Sequence, residues 1–146
     1  VMAMVSSRRI DPGGLDADQK LRMTETYGRQ GILLLNQLQK PADMPDADFA
    51  HARDEKLAMC HSGLGLVDYD RQKFVEATQE FTEALKLESD PDPVDQYLLG
   101  LSLMGAKQYS QAVTVLDACS KNSVMSANCK PKLDEAKKLA AMQPKQ

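Results

Sequence analysis

The sequence predicts an all-α fold: a single domain of about six helices packed as antiparallel pairs. Three observations carry this. Leu and Ala number 34 of the 146 residues, whereas Val and Ile number 10 and the aromatics 7, with no Trp. Unbranched and small side chains lose little entropy in a helix, while β-branched and aromatic ones suit strands. Apolar residues recur at helical spacing, and loop signals break the chain into segments with short connections between them. One domain of this length buries roughly 70% of the surface its unfolded chain exposes. Hydrophobic residues at 42% and charged ones at 27% are globular values, which excludes a chain disordered throughout.

The elements follow in order. Residues 1–15 read as a linker ending in Asp11-Pro12-Gly13-Gly14. Asp16 with Gln19 forms a capping box, opening a helix that runs to about Leu38. Tyr27, Leu34, Leu35 and Leu38 keep helical spacing there, and Lys40-Pro41 ends the segment. Asp46 is expected to cap a long second helix with the stripe Leu57, Cys60, Leu64 and Val67, ending near Asp70. Phe74, Ala77, Phe81, Ala84 and Leu85 share one face of a third helix, which stops at Ser89-Asp90-Pro91. Asp92-Pro93 is the clearest start, a capping acid before a Pro whose fixed φ suits the first helical position. That fourth helix carries Leu98, Leu99, Leu101 and Leu103 and breaks around Gly105. Tyr109 opens a fifth, with Ala112, Val113, Leu116 and Cys119 inward. A last helix spans roughly 127–142, with Leu133, Ala136, Leu139 and Ala140 buried and Pro131 expected in its first turn.

Two blocks match at a constant offset of 35 residues. Leu64-Gly65 aligns with Leu99-Gly100, Leu66 with Leu101, Phe74 with Tyr109, Ala77 with Ala112, Phe81 with Leu116 and Ala84 with Cys119. Small residues stand where helix backbones touch, and large ones fill the spaces between. This pattern resembles the tetratricopeptide repeat, a helix–turn–helix unit with Leu-Gly in its first helix and Ala, Phe and Ala in its second. The resembling stretches are 58–91 and 93–126. Departures stand at the early Trp position, held by His61 and Gln96, and at the Tyr position, held by Asp68 and Leu103. Ser89 and Val124 replace the closing Pro.

The resemblance implies a short α-solenoid within 16–146. In it the 127–142 helix is a C-terminal cap, and the 17–39 helix, within an N-terminal stretch 16–57 that also holds the start of the long helix, closes the other end. It also implies a concave groove lined by the first helix of each repeat. The corresponding positions are Met59, Ser62, Leu66, Tyr69 and Asp70, then Val94, Tyr97, Leu101, Met104 and Gly105. Among these, Leu66, Tyr69, Tyr97, Leu101 and Met104 form the expected partner-binding set, apolar with two Tyr to give rigid contact area. The family's carboxylate clamp uses Lys and Asn on these faces. Ser62, Leu66, Tyr97 and Leu101 occupy such places here, so the resemblance does not extend to that clamp.

No catalytic constellation is present. His51 and His61 diverge by about 80° on one helix. Adjacent Cys60 and His61 also point apart, so neither pairing suits zinc or a nucleophile–base couple. Gly63 and Gly65 lie within a helical pattern without the Lys of a phosphate loop. A net charge of −3 lacks the basic footprint of a nucleic-acid binder. The five Lys of 130–146 read as a solvated helix face near its C-terminus. No segment reaches the ~20 apolar residues that span a membrane. Val1-Met2-Ala3-Met4-Val5 is too short for a signal sequence. With Arg8-Arg9 following, it reads either as the stub of a removed anchor or as an arbitrary cut.

Cys119 and Cys129 flank a short loop. Two readings stand: a disulfide, which would place the chain in an oxidising, exported setting, or two buried thiols, which leave a cytoplasmic one open. The functional expectation is a non-catalytic module that binds a protein or peptide partner through the apolar groove, without a cofactor. The alternative is a structural domain that self-associates, as a homodimer, through the same faces.

Overall fold

A computed structural model describes residues 16–144. The linker segment 1–15 and the anchor-stub reading of its start lie outside the described residues, as does Lys145. Among the described residues there are six α-helices and no strand. They are α1 (Ala17–Gln37), α2 (Asp46–Asp70), α3 (Phe74–Leu87), α4 (Pro93–Gly105), α5 (Tyr109–Ser120) and α6 (Ser126–Met142). Each packs against the next in sequence, and α2 also meets α4 while α4 meets α6.

The helix starts have local causes. At α1 the Asp16 Oδ1 accepts from the Gln19 N–H at 2.7 Å, and Gln19 Oε1 accepts from the Asp16 N–H at 3.0 Å. At α4 the Asp92 carboxylate accepts from the Val94 N–H at 2.9 Å, with Pro93 next to it. α2 departs from expectation. Pro45, not Asp46, takes the cap position, and no side chain caps the helix. Asp46 is instead the first helical residue, where its charge still suits the positive end of the dipole. Pro131 lies inside α6 rather than in its first turn. Its missing N–H forfeits one backbone bond, a loss limited by its nearness to the helix start.

The 35-residue recurrence is visible in the backbone. Gln72 and Lys107 close α2 and α4 in the left-handed region, at φ 61° and 62°. The Gln72 N–H donates to the Tyr69 carbonyl at 2.9 Å and the Lys107 N–H to that of Met104 at 3.0 Å. Lys73 donates to Asp68 and Gln108 to Leu103, both at 2.8 Å. The packing recurs too. A Cβ on Gly65 would come within 2.8 Å of the Phe81 ring, and one on Gly100 would fall inside Leu116. The core consists of Ala77, Phe81, Ala112, Leu116 and Ala136, all fully buried, with Leu99, Leu103 and Leu133 around them.

α1 docks through a different face than the leucine spacing suggests. Tyr27, Leu34 and Leu38 are 62%, 67% and 54% exposed, and only Leu35 of the expected stripe turns inward. Gly28 is the buried residue of this helix. A Cβ there would sit 3.0 Å from Leu64, and one on Gly31 would sit 2.8 Å from the Cys60 sulfur. Close approach at the two glycines selects the contact face, because axes can meet nearest where no side chain intervenes. Arg71, just past the end of α2, then reaches Glu25 of α1 at 2.7 Å.

Ala77→Leu and Ala112→Leu should each overpack a fully buried contact and lower unfolding free energy by about 1–3 kcal/mol. Chemical denaturation of the two variants checks this. Unchanged stability in both would mean that close approach at these residues does not hold the repeats together.

Candidate functional site

A cleft of about 600 Å³ opens between α2, the turn at 88–92 and the first turn of α4. Its apolar lining comes from Ala58, Met59 and Leu66 on α2 and from Pro91 and Pro93 across the gap. Its polar lining is acidic: Glu55, Glu88, Asp90, Asp92 and Asp95, with Ser62. No Lys, Arg or His lines it. Met59 is 74% and Leu66 43% exposed, so both are available to a partner.

Hydrogen bonds hold the acidic side chains in place. Asp95 is buried, at 5% exposure, and its Oδ2 accepts from the Ser62 Oγ–H at 2.8 Å. Glu88 Oε2 accepts from the Asp92 N–H at 2.7 Å. Glu55 Oε1 accepts from the Ser89 N–H and Oγ–H, both at 3.3 Å, which ties the turn to α2. Burial pushes the Glu88 carboxyl up to about 7, aided by a hydrogen bond to the Asp95 carboxyl. Elsewhere, burial raises Asp68, with the charge of Glu80 adding to it. Burial also raises the Cys60 thiol, which makes it a poor nucleophile. His61 packs at the α2–α3 boundary, where its Nδ1 meets Glu80 Oε2 at 2.7 Å.

The expected groove residues separate. Of Leu66, Tyr69, Tyr97, Leu101 and Met104, only Leu66 lines the cleft. Tyr69, Tyr97 and Met104 are half-buried against the core, and Tyr69 packs edge-to-face on Phe74 at 5.6 Å between centroids. Leu101 is half-buried as well. Met59 and Ser62 join Leu66 in the cleft, whereas Val94 is exposed outside its lining. Of the acidic residues in the cleft, the sequence marks only Asp92, as a cap. Their density between Glu88 and Asp95 was the available signal, but placing Glu55 and Ser62 against it required the helix packing.

Cys119 and Cys129 are joined as a disulfide, both fully buried, with Cα atoms 6.0 Å apart. The bond pins the start of α6 to the end of α5. Cys60 is the free cysteine. Among the described residues no group of His, Cys, Asp and Glu is arranged to hold a metal ion. Nor is any helix long and apolar enough to cross a membrane. No family model, curated protein or solved structure matches the chain.

Thiol titration of unreduced, denatured protein should therefore count one thiol, and after reduction three. Cys129→Ala should cost about 2–3 kcal/mol, the chain-entropy value for a loop this short. Three thiols before reduction would remove the bridge.

Proposed function

We propose that the chain is a non-catalytic protein-interaction module of the tetratricopeptide kind. Its α2–α4 cleft takes a segment of another chain bearing Lys or Arg beside apolar side chains. The observation that carries this reading is the lining of the cleft: exposed Met59 and Leu66 beside Glu55 on one wall, Glu88, Asp90, Asp92 and Asp95 on the other, and no basic residue on either. Methionine adapts to the partner's shape, and the carboxylates offer charge-assisted hydrogen bonds to a cation. The tetratricopeptide resemblance is supported by the backbone turns and Gly contacts that recur at the same offset as the sequence blocks. The groove so read is smaller and more acidic than the resemblance alone implies. The Cys119–Cys129 bridge supports an oxidising compartment for the module.

A second reading, self-association, is favoured by the outer face of α1. Tyr27, Leu34 and Leu38 stand exposed there. Under this reading a homodimer forms through α1 rather than through the half-buried Tyr97, Leu101 and Met104. Sedimentation at several concentrations separates the two: a monomer throughout removes self-association.

A capped Leu-Lys-Leu-Arg-Leu peptide should bind, and its Glu-substituted counterpart should not. Met59→Ala with Asp90→Asn, both at exposed positions, should weaken binding by about tenfold, a loss of about 1.4 kcal/mol. Fluorescence anisotropy reads both. Equal binding of the two peptides, or of neither, overturns the reading.

A further inference from the structure

The α1–α2 pair leaves a furrow on the surface, separate from the α2–α4 cleft. Its near end is a cavity of about 330 Å³ lined by Thr24 and Tyr27 of α1 and by Met59, Cys60 and Gly63 of α2. Its far end is a cavity of about 200 Å³, where Leu35 and Leu38 meet Phe49 and Ala52, with Pro41 and Met44 from the connecting loop.

Both cavities open on one side of the helix pair. Ala52, Lys56, Met59 and Gly63 line them in an i, i+4, i+7, i+11 series, which is one face of α2. Tyr27 and Leu38 lie within about 20° of each other around α1. Close contact at Gly28 and Gly31 keeps the floor between them low. The walls are apolar and open, with Tyr27, Leu38 and Met59 all more than half exposed. Arg53 and Lys56 edge the far cavity. Their long stems add to its apolar lining, and the Arg53 charge is already engaged with Asp54 at 3.5 Å.

Length and composition identify the segment that fits. Residues 1–15 precede α1 and lie outside the described residues. Val1-Met2-Ala3-Met4-Val5 is apolar, Arg8-Arg9 is basic, and Asp11-Pro12-Gly13-Gly14 carries the residues of a chain reversal. A reversal just before Asp16 sends residues 10 to 1 back alongside α1. Residues 1–10 span about 33 Å when extended, and α1 spans about 32 Å. The match sets the register. Residues 1–5 fall level with Leu35 and Leu38, Ser6-Ser7 with Gly28, and Arg8-Arg9 with the early turns of α1. Those turns face the end of α2, because the helices run antiparallel: Gly28 meets Leu64 and Glu25 meets Arg71. Exposed Asp70 there continues the Met59, Gly63 and Leu66 face and is opposite in charge to the two Arg.

We propose that residues 1–10 dock in the α1–α2 furrow of their own chain, with residues 1–5 filling the end between Leu35 and Phe49 and Arg8-Arg9 beside Asp70. Methionines suit an irregular apolar trough because they adapt their shape. The docked segment borders the α2–α4 cleft, since Met59 lines both. It also covers Tyr27 and Leu38, part of the surface that self-association through α1 would need. The docking stands on the furrow and does not depend on what the cleft binds.

Two measurements on the whole chain test it. Nuclear Overhauser contacts from the Met2 and Met4 methyls to the Phe49 ring are expected, with intensities unchanged on dilution. Their absence overturns the docking. Contacts between differently labelled copies in a mixed sample place the segment on a second copy, which overturns it as well.

The second measurement reads Cys60, the free thiol lining the furrow. Met2→Ser with Met4→Ser and Val5→Ser should speed its alkylation by iodoacetamide about tenfold, the effect of losing a cover that is closed in all but one molecule in about ten. Leu38→Ser, at an exposed position toward the other end of the furrow, should speed it too. Alkylation at the wild-type rate in both variants overturns the docking.

Discussion

Close approach of helices at small residues is the constraint on which the rest of the structure depends. Ala77, Ala84, Ala112 and Ala136 are fully buried, and Gly65 and Gly100 face Phe81 and Leu116 across contacts that a single added carbon would close. Side chains this short let axes come near enough for the large residues between them to bury completely. A Phe or Leu so buried is worth about 1.5–3 kcal/mol each. The turns at Gln72 and Lys107 take the same left-handed conformation because each must bring one helix back onto its predecessor.

The two ends of the helical array are secured by different physics. At the C-terminal end the Cys119–Cys129 bond restrains α6, and Gln143 Nε2 donates to the Lys107 carbonyl at 2.8 Å. At the other end α1 has no covalent tie. It relies on the Gly28 and Gly31 approach and on Arg71 reaching Glu25. Contact through glycines leaves Leu33 and Leu34 of α1 facing outward. The same choice that docks α1 thus creates the exposed apolar face on which self-association would draw.

The cleft inherits its character from where the repeats join. Turning the chain from α3 into α4 requires capping acids and prolines, and Glu88 and Asp92 serve that local need. Bringing α2 alongside sets Met59, Leu66, Glu55 and Ser62 opposite them. Residues selected for ending and starting helices thereby become the wall of a site.

Much of the fold was legible in the sequence because its causes are local. The Asp16–Gln19 box, the Asp92-Pro93 start and the 35-residue recurrence each act within a few residues or through simple periodicity, and the helices lie where these signals put them. Tertiary structure alone decided which face α1 buries, because Tyr27, Leu34 and Leu38 compete with Gly28 for the contact and only the partner helix settles it. It also decided that Leu66 stands in the cleft while Tyr97 and Met104 lean on the core. Spacing along one helix assigns a side chain to a face. Whether that face meets solvent depends on neighbours far away in the chain. The acidic wall is the clearest case: Asp92 reads by itself as a cap, and only packing brings Glu55 and Ser62 across from Glu88 and Asp95.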